Sequence, residues 1–494
     1  MSQNKHLRIL ITSMVGIASS MFLQVSATAQ TWIQQFPAGV PPIDRYISSN
    51  AYDEENDRLI LFSGEVHVSA HPHPSDVWVL TNATATGGGQ SWLQLFPTGP
   101  APAGRLAGPA VYDAQSNRLI IHGGCLGHCL PVVSDAWVLT NANGLGGTPN
   151  WIPLPSAPIA RDGHVAAYDA NSNRMIVFGG STGVIGSDRN DVWILTDANG
   201  IGSPSWLQLF PTGVPPVGRG ASSGTAGVYD PITNRLIILG GRATTGAEFN
   251  DVWVLSNANG LGGTPQWTQL FPSGTPPVPR TGHSMSYDVS QNRAIIVGGA
   301  SFLSGSFFND VWMLTEANGV GSTSQWVQLI PTGGPPIGRT GHASGYSPTT
   351  KNAVIVMGRN DTLPSGLVSD VWVLADATGV TEVNIDIKPG SDPNCFNNDG
   401  HGVIPVAILT TDTFDATEVD PFSVTLDGMS VRVKGKSGNA GSLEDVDGDG
   451  DLDLVVQIED ADGVYGPGDT VATLAGETLD GAPIEGADSI CIVP

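Results

Sequence analysis

Short apolar runs alternate with short polar turns along the chain from residue 30 to about residue 382. Typical runs are "NRLII" and "DVWVLT", which are rich in β-branched and aromatic residues and end at Asn, Asp, Gly or Pro. Such runs are too short for helices, and no long stretch has the apolar period of an amphipathic helix. The pattern therefore predicts short β-strands joined by tight turns.

One sequence repeat occurs six times in this region. Each copy has an Arg, a "YD", an apolar run that ends in Gly-Gly, a "DVW" and a second Trp. We assign four strands to each copy: a ends at Tyr-Asp, b is "NRLII", c is "DVWVLT", and d is "WxQLFP". Four antiparallel strands per repeat form a blade of a β-propeller, so the sequence predicts an all-β, six-bladed propeller. The DVW tryptophans are Trp78, Trp137, Trp193, Trp253, Trp312 and Trp372.

The tryptophans also predict how the ring closes. A second set of six begins strand d, but none follows Trp372, whereas Trp32 precedes the first strand a. The N-terminal "TWIQQFP" should therefore supply strand d of the last blade and cover an exposed sheet edge. We place the propeller at 30–375 and a linker at 376–382.

The Gly-Gly doublet, the spaced tryptophans and "RTGH" at Arg280–His283 and Arg339–His342 resemble the Kelch repeat, as in the central domain of galactose oxidase. The copies are longer than the usual repeat of about 50 residues because of inserts between strands c and d. The resemblance implies a Kelch-type propeller of an exported bacterial kind that binds a protein or glycan through its loops. Some Kelch-like propellers are carbohydrate-active enzymes (oxidases, epimerases or hydrolases), but the copper ligands of galactose oxidase cannot be placed on this chain.

The b–c loops vary most between the copies, and variable loops on a rigid scaffold are where binding usually occurs. Phe302, Phe307 and Phe308 make the fifth loop aromatic. We take them as binding candidates, with the alternative that they cover the blade edge.

Two b–c loops contain histidines and cysteines. In an exported protein, Cys125 and Cys129 are expected to form a small disulfide. The alternative is a transition-metal site. The residues that could serve it are His67, His71, His73, His122, Cys125, His128 and Cys129.

Repeated polar residues precede strand a. His164, His283 and His342 each follow Arg-x-Gly. Their regular position favours a structural role, and the Arg before strand a is interpreted in the same way. The alternative for the arginines is a cationic ring at the pore mouth that attracts anions. These arginines are Arg45, Arg105, Arg161, Arg219, Arg280 and Arg339.

The repeat stops after Trp372, and the text from 383 to 494 resembles a small β-sandwich-like module of exported bacterial proteins. This module carries 22 Asp and Glu against four Lys and Arg, a large part of the net charge of −25. Such a surface disfavours nucleic acid and anionic membranes and favours divalent cations. Cys395 and Cys491 lie near the module's two ends, and we predict a disulfide between them.

The sharpest chemical motif is "DVDGDGDLD" at Asp445–Asp453. Asp445, Asp447, Asp449 and Asp453 occupy positions 1, 3, 5 and 9 of an EF-hand-like spacing, and Asp451 offers its carbonyl at position 7. Position 12 is Val456, so this is not a full EF-hand loop. It resembles the Asp-rich calcium loops of integrin-type and thrombospondin-like modules, and we predict bound calcium, with a solvated acidic turn as the alternative.

Residues 1–29 have the features of an export signal: Lys5 and Arg8, an apolar core, and Ala27-Thr28-Ala29 as a small-x-small cleavage site. We therefore expect a secreted, periplasmic or cell-surface protein with no membrane span after cleavage.

The favoured function is non-catalytic recognition of an extracellular or cell-surface protein or glycan. An enzyme on the loop face and a structural surface or matrix component are the alternatives, and neither catalysis nor nucleic-acid binding has a supporting motif.

Overall fold

The computed structural model describes residues 30–493, except 67–72, 128–129, 221–223, 322, 380, 392, 398–400, 412–413, 436–437, 462, 467 and 480–482. The chain forms two compact units that divide between residues 379 and 380. Among the described residues, the single helical element is a 3-10 turn at Ala416–Glu418. The described part of the chain has no helix with the length and apolarity needed to span a bilayer.

The first unit contains six four-stranded antiparallel sheets. The first described strand, β1 (Thr31–Gln35), belongs to the last of these sheets. The other sheets, each from strand a to strand d, are β2 (Ser49–Asp53), β3 (Arg58–Phe62), β4 (Val77–Thr81) and β5 (Ser91–Leu95); β6 (Ala110–Asp113), β7 (Arg118–His122), β8 (Ala136–Thr140) and β9 (Asn150–Leu154); β10 (Val165–Asp169), β11 (Arg174–Phe178), β12 (Val192–Thr196) and β13 (Ser205–Leu209); β14 (Ala226–Asp230), β15 (Arg235–Arg242), β16 (Glu248–Ser256) and β17 (Gln266–Leu270); β18 (Ser284–Asp288), β19 (Arg293–Val297), β22 (Val311–Thr315) and β23 (Gln325–Leu329).

The sixth sheet joins the two ends of the first unit. Its strands a to c are β24 (Ala343–Ser347), β25 (Asn352–Val356) and β26 (Val371–Ala375), and β1 is strand d. β1 runs antiparallel to β26, with Trp32 opposite Leu374. This is the pairing that the tryptophan count predicts. A short hairpin, β20 (Ala300–Ser301) and β21 (Ser306–Phe307), lies in the fifth b–c loop.

The sheets stand around a common axis. Strand a of each blade contacts strand a of both neighbours, in the closed order β2, β6, β10, β14, β18, β24 and back to β2. The apolar cores lie between adjacent blades and contain the DVW tryptophans. Because each core joins two neighbouring sheets, every blade is stabilised by packing against both of its neighbours. The first unit is a six-bladed β-propeller.

The second unit has two main sheets that share one apolar core, as in a small β-sandwich. Buried side chains reach this core from both sheets, for example Val406 and Leu474. The five-stranded sheet has the order β27 (Thr381–Glu382), β36 (Pro483–Ser489), β35 (Val471–Thr478), β31 (Val419–Leu426), β32 (Met429–Ser430); the four-stranded sheet has the order β28 (Ile385–Ile387), β30 (Val403–Ile408), β34 (Asp453–Glu459), β33 (Gly441–Glu444); a separate pair is β29 (Cys395–Asn397) with β37 (Cys491–Val493).

Candidate recognition face

Each DVW motif supplies an Asp that binds the Arg preceding strand a of the same blade. In the fifth blade, Arg280 donates to both carboxylate oxygens of Asp310, and the indole of Trp312 donates to Oδ2 at 2.7 Å. The arginine side chains are at most 1% exposed, so their charges are neutralised inside the blade and do not form an open cationic ring. The other pairs are Arg45–Asp76, Arg105–Asp135, Arg161–Asp191, Arg219–Asp251 and Arg339–Asp370.

A pocket opens on the propeller axis at the end where strand a begins. All six blades line it, and its volume is about 200 Å³. Since strand a begins beside the end of strand b, as Val165 opposite Phe178 shows, the pocket is at the same end as the b–c and d–a loops. We call this end of the propeller the loop face.

The histidines of the Arg-x-Gly-His segments line this pocket as neutral, buried groups. Burial lowers the pKa of His283 and of His342 to about 3, with a further contribution from the nearby arginines. Nε2 of His342 lies 3.0 Å from Oγ of Ser284 in the neighbouring blade. Gly298, the first residue of a Gly-Gly doublet, leaves room for this ring, since a Cβ there would lie 3.3 Å from Cε1 of His342. The glycine doublet of one blade and the histidine of the next blade thus pack directly against each other.

Neighbouring b–c loops are tied to each other, which the sequence did not reveal. The buried carboxylate of Glu248 in the fourth loop accepts from Oγ of Ser301 at 2.6 Å and from the backbone N–H of Phe302 at 2.7 Å in the fifth. Asp188 in the third loop accepts from the backbone N–H and hydroxyl of Thr244 in the fourth. These hydrogen bonds connect three loops into one ordered rim beside the pocket.

The three phenylalanines of the fifth loop are half-buried. Phe308 lies against the buried guanidinium of Arg280, 4.4 Å from ring centroid to Cζ, and Phe249 makes the equivalent contact with Arg219 in the fourth blade. Phe302 lies under Arg242 at 5.4 Å, and Phe307 pairs with Ala300 in the short hairpin. Phe308 therefore packs on a structural arginine of its own blade. This contact agrees with the alternative that the phenylalanines of this loop cover the blade edge. Direct binding by Phe302, Phe307 and Phe308 stays a prediction.

Exposed large apolar side chains concentrate on the loop face. Among the described residues of the propeller, fifteen lie in the d–a and b–c loops, five lie at the opposite end, and two lie within strand d. The most exposed on the b–c loops are Ile185 at 82% and Leu303 at 73%, with Val184 and Leu130 close behind. An exposed apolar concentration of this kind commonly marks an interaction surface.

The predicted His and Cys cluster falls partly outside the described residues, which exclude His67, His71, His128 and Cys129. Of the others, His73, His122 and Cys125 are buried. Nδ1 of His122 lies 2.9 Å from Nε2 of His164, and the Cys125 thiol donates to the carbonyl of Gly127. The disulfide between Cys125 and Cys129 stays a prediction.

The acidic loop of the second unit places three carboxylates together. Oxygens of Asp445, Asp447 and Asp453 lie within 4.8 Å of one another. Asp453 is fully buried and is held by the backbone N–H groups of Thr410 and Val446. In the described structure, this cluster does not include the carboxylates of Asp449 and Asp451, which are exposed.

The hydrogen bonds in this loop explain the arrangement. Asp445 and Asp447 accept the backbone N–H groups of Gly448 and Asp449, and Asp449 accepts that of Asp451. The N–H of Asp449 lowers the pKa of Asp447, but desolvation and the nearby carboxylates outweigh it, so the net shift is upward. Carboxylate oxygens that converge in this way fit a hard divalent cation such as calcium.

Cys395 and Cys491 are joined by a disulfide, as predicted. They face each other in the parallel pair of β29 and β37. The bond links residues that are 96 positions apart and so constrains nearly the whole second unit.

Comparison with known proteins supports the fold. Residues 203–380 match the family model described as the KLHDC2/KLHL20/DRC7 Kelch-repeats domain. Curated relatives include the Rho GTPase-activating protein gacHH of Dictyostelium discoideum, 30% identical over 168 residues, which are 33% of this chain and 10% of that protein. Kelch repeat-containing protein 2 of Saccharomyces cerevisiae is 28% identical over 191 residues, 37% of this chain and 20% of that protein.

A third relative, Adagio-like protein 3 of Oryza sativa subsp. japonica, is 29% identical over 230 residues, 46% of this chain and 33% of that protein. The matched region thus spans a tenth to a third of the length of these relatives.

Among solved structures, YjhT has a TM-score of 0.47 at 15% identity, covering 71% of this chain and 97% of that chain. A fungal alcohol oxidase of the AA5 family, solved with copper, has a TM-score of 0.44 at 15% identity, covering 93% of this chain and all of the other. The sheet topology shows a six-bladed β-propeller, and the match over 203–380 supports a Kelch type for the first unit.

Proposed function

We propose that this protein is an exported, non-catalytic recognition protein that binds a protein or glycan with the loop face of its propeller. The observation that carries the proposal is the axial pocket to which all six blades contribute. A pocket on the axis of a closed ring keeps its shape because each of its walls is part of a different sheet. The ordered rim and the exposed apolar loop residues beside it give a partner additional area to contact.

The Kelch repeats support a protein-binding scaffold. The side chains that a partner would meet come from loops, and loops on rigid scaffolds are frequent binding sites. Export through residues 1–29 is the second part of the proposal. N-terminal sequencing of the protein from the culture medium or cell envelope should find a start near Gln30, and a chain retained in the cytoplasm with its first residues intact would contradict export.

The binding proposal is tested with a double variant on the rim. Val184 and Ile185 are both highly exposed, so Val184→Ser with Ile185→Ser should leave the fold intact while removing apolar contact area. The control is Ile232→Ser, which changes a residue that is 76% exposed in an a–b turn at the opposite end. Immobilised full-length proteins are compared on a glycan array and against proteins from the organism's own culture medium.

A ligand whose binding falls at least tenfold in the rim variant and stays unchanged in the control supports the loop face. Equal binding by both variants would contradict it. The same preparations are assayed for oxidase, epimerase and hydrolase activity on sugars, and turnover that saturates with substrate would replace recognition with the enzymatic alternative.

We also propose that the acidic loop of the second unit holds calcium. The three converging carboxylates support this, and Asp453 is already fixed by two backbone donors, so it is pre-oriented towards the other two. The ion would reduce the repulsion among these groups and fix the loop that leads into β34.

A further inference from the structure

The axial pocket has an uncharged lining. Among the described residues that form it, the polar side chains are hydroxyls, one amide and three imidazoles, and there is no Asp, Glu, Lys or Arg. A charged ligand group would lose its hydration there without meeting an opposite charge. The polar side chains are Ser48, Asn50, Thr225, Ser284, Ser344, His164, His283 and His342.

The arginines that precede strand a already have ion-pair partners and offer no free charge to a ligand in the pocket. The guanidinium groups of the arginines before strand a, such as Arg280 and Arg339, are buried and paired with aspartates in a bidentate manner. Besides the six paired arginines, the six d–a loops carry two charged residues, Asp44 and Asp162, although the chain has a net charge of −25. The pocket lining and the d–a loops around it therefore carry little net charge, and they match a partner group that is also uncharged.

Size and surroundings favour a polypeptide over a glycan. A volume of about 200 Å³ is smaller than the usual range of small-molecule pockets, so it suits one or two side chains better than an oligosaccharide. The most exposed apolar residues of the b–c loops, Leu130, Val184, Ile185 and Leu303, are aliphatic, and they match the apolar side chains of a peptide. Among the described residues, the pocket lining contains no Phe, Tyr or Trp, so it offers no flat aromatic face on which a sugar ring could stack.

We infer that the ligand is a polypeptide loop that inserts one uncharged polar side chain into the axial pocket and packs aliphatic side chains on the rim. This inference rests on the proposed function, since it names the partner class of the same face. The inserted side chain would be of the Asn, Gln, Ser or Thr type, because the lining offers hydrogen-bond donors and acceptors but no countercharge.

The test selects binders from a displayed library of random disulfide-closed peptide loops, using the full-length protein. Wild type should enrich loops with an uncharged polar residue flanked by aliphatic residues. Ser344 lines the pocket and is half-buried, so Ser344→Asp places a carboxylate in it. We expect this variant to enrich Lys or Arg at the central position and to bind the wild-type loops at least tenfold more weakly.

Ser344→Asn is the matched control, since it has the same shape as the aspartate without the charge and should keep the wild-type consensus. Thermal melting of both variants shows whether the fold is retained, and Ser284→Asp serves as the second charged variant if Ser344→Asp unfolds. Enrichment of charged residues by wild type, or a consensus that neither aspartate variant changes, would overturn the inference. If no loop is enriched while a glycan binds in a manner sensitive to the Val184 and Ile185 substitutions, the inference is overturned and the proposed function stands.

Discussion

Arg280 and Asp310 form a two-point ion pair inside the fifth blade, with Nη1 to Oδ1 at 2.6 Å and Nη2 to Oδ2 at 2.8 Å. The pair joins the turn before strand a to the turn before strand c, 30 residues later in the chain. Nη1 of Arg280 also donates to the carbonyl of Gly298 and Nε donates to the carbonyl of Val278, so every nitrogen of the guanidinium has a partner.

Breaking this pair should destabilise the propeller. Asp310→Asn leaves the guanidinium of Arg280 buried with less than its full set of acceptors, and loss of one partner of a buried pair typically costs about 3–5 kcal/mol in the free energy of unfolding. Chemical denaturation measures the change. The control is Asp361→Asn, in the more exposed pair with Arg359, where the cost should be below about 1 kcal/mol. Equal effects of the two variants would mean that burial of the arginine does not matter.

The interface between the sixth and first blades, which we call the closing seam, should become more stable when the hydrogen bond found between other blades is introduced there. At the seam between the first two blades, Asn143 donates to the buried carboxylate of Asp53 at 2.8 Å. The equivalent residues at the closing seam are Thr84 and Ser347. Thr84→Asn together with Ser347→Asp should therefore raise the unfolding free energy by about 1–2 kcal/mol.

Three controls define this result. Each single substitution at the closing seam should give no gain, because the new group lacks its partner. Asn143→Ala should destabilise the intact seam, since it removes a donor from buried Asp53. A double variant that is no more stable than the wild type would show that the closing seam does not limit stability.

Stability should fall in mild acid. His283 and His342 have a pKa of about 3 in the folded chain, whereas an unfolded histidine titrates near 6.5. Between these values the unfolded state binds more protons, so the unfolding free energy falls as the pH is lowered from about 6.5 towards 3. Each histidine contributes up to about 1.4 kcal/mol per pH unit within this window.

Denaturation at several pH values between 6.5 and 4.5 measures this slope. His342→Gln retains a hydrogen-bonding group beside Ser284 but cannot titrate, so it should reduce the slope by up to about 1.4 kcal/mol per unit. An unchanged slope in this variant would mean that His342 takes up its proton without unfolding.

Calcium should bind the second unit in the range of ~10⁻⁴–10⁻³ M that is typical of extracellular modules. Titration calorimetry on the full-length protein measures it. Asp447→Asn should weaken binding at least tenfold, because it removes one carboxylate from the cluster. Asp451→Asn should have little effect, since only its backbone carbonyl is expected to be a ligand. No heat with wild type at tens of millimolar calcium would leave the loop as an acidic turn.

The repeat register and the pairing of the N-terminal strand were predictable because both follow from local pattern. Alternating apolar residues define strands, and a repeat every 56 to 60 residues defines blades. The disulfide of the second unit followed from two cysteines near the ends of one module. The loop-to-loop bonds were not predictable, since Glu248 and Phe302 are far apart in sequence and meet only because neighbouring blades bring their loops together.

The sequence by itself determined the number of blades, their strands and the residues placed before strand a, because these depend on periodicity and turn chemistry. It did not show that the Asp of each DVW motif neutralises the Arg of the same blade, so a cationic ring at the pore mouth stayed an alternative. In the structure, these residues form six ion pairs whose arginines are buried. The sequence also could not show the uncharged axial pocket, whose walls come from six segments spread between Ile47 and Ser344. Closure of the ring brings these segments together, and closure is a property of the whole propeller rather than of any one repeat.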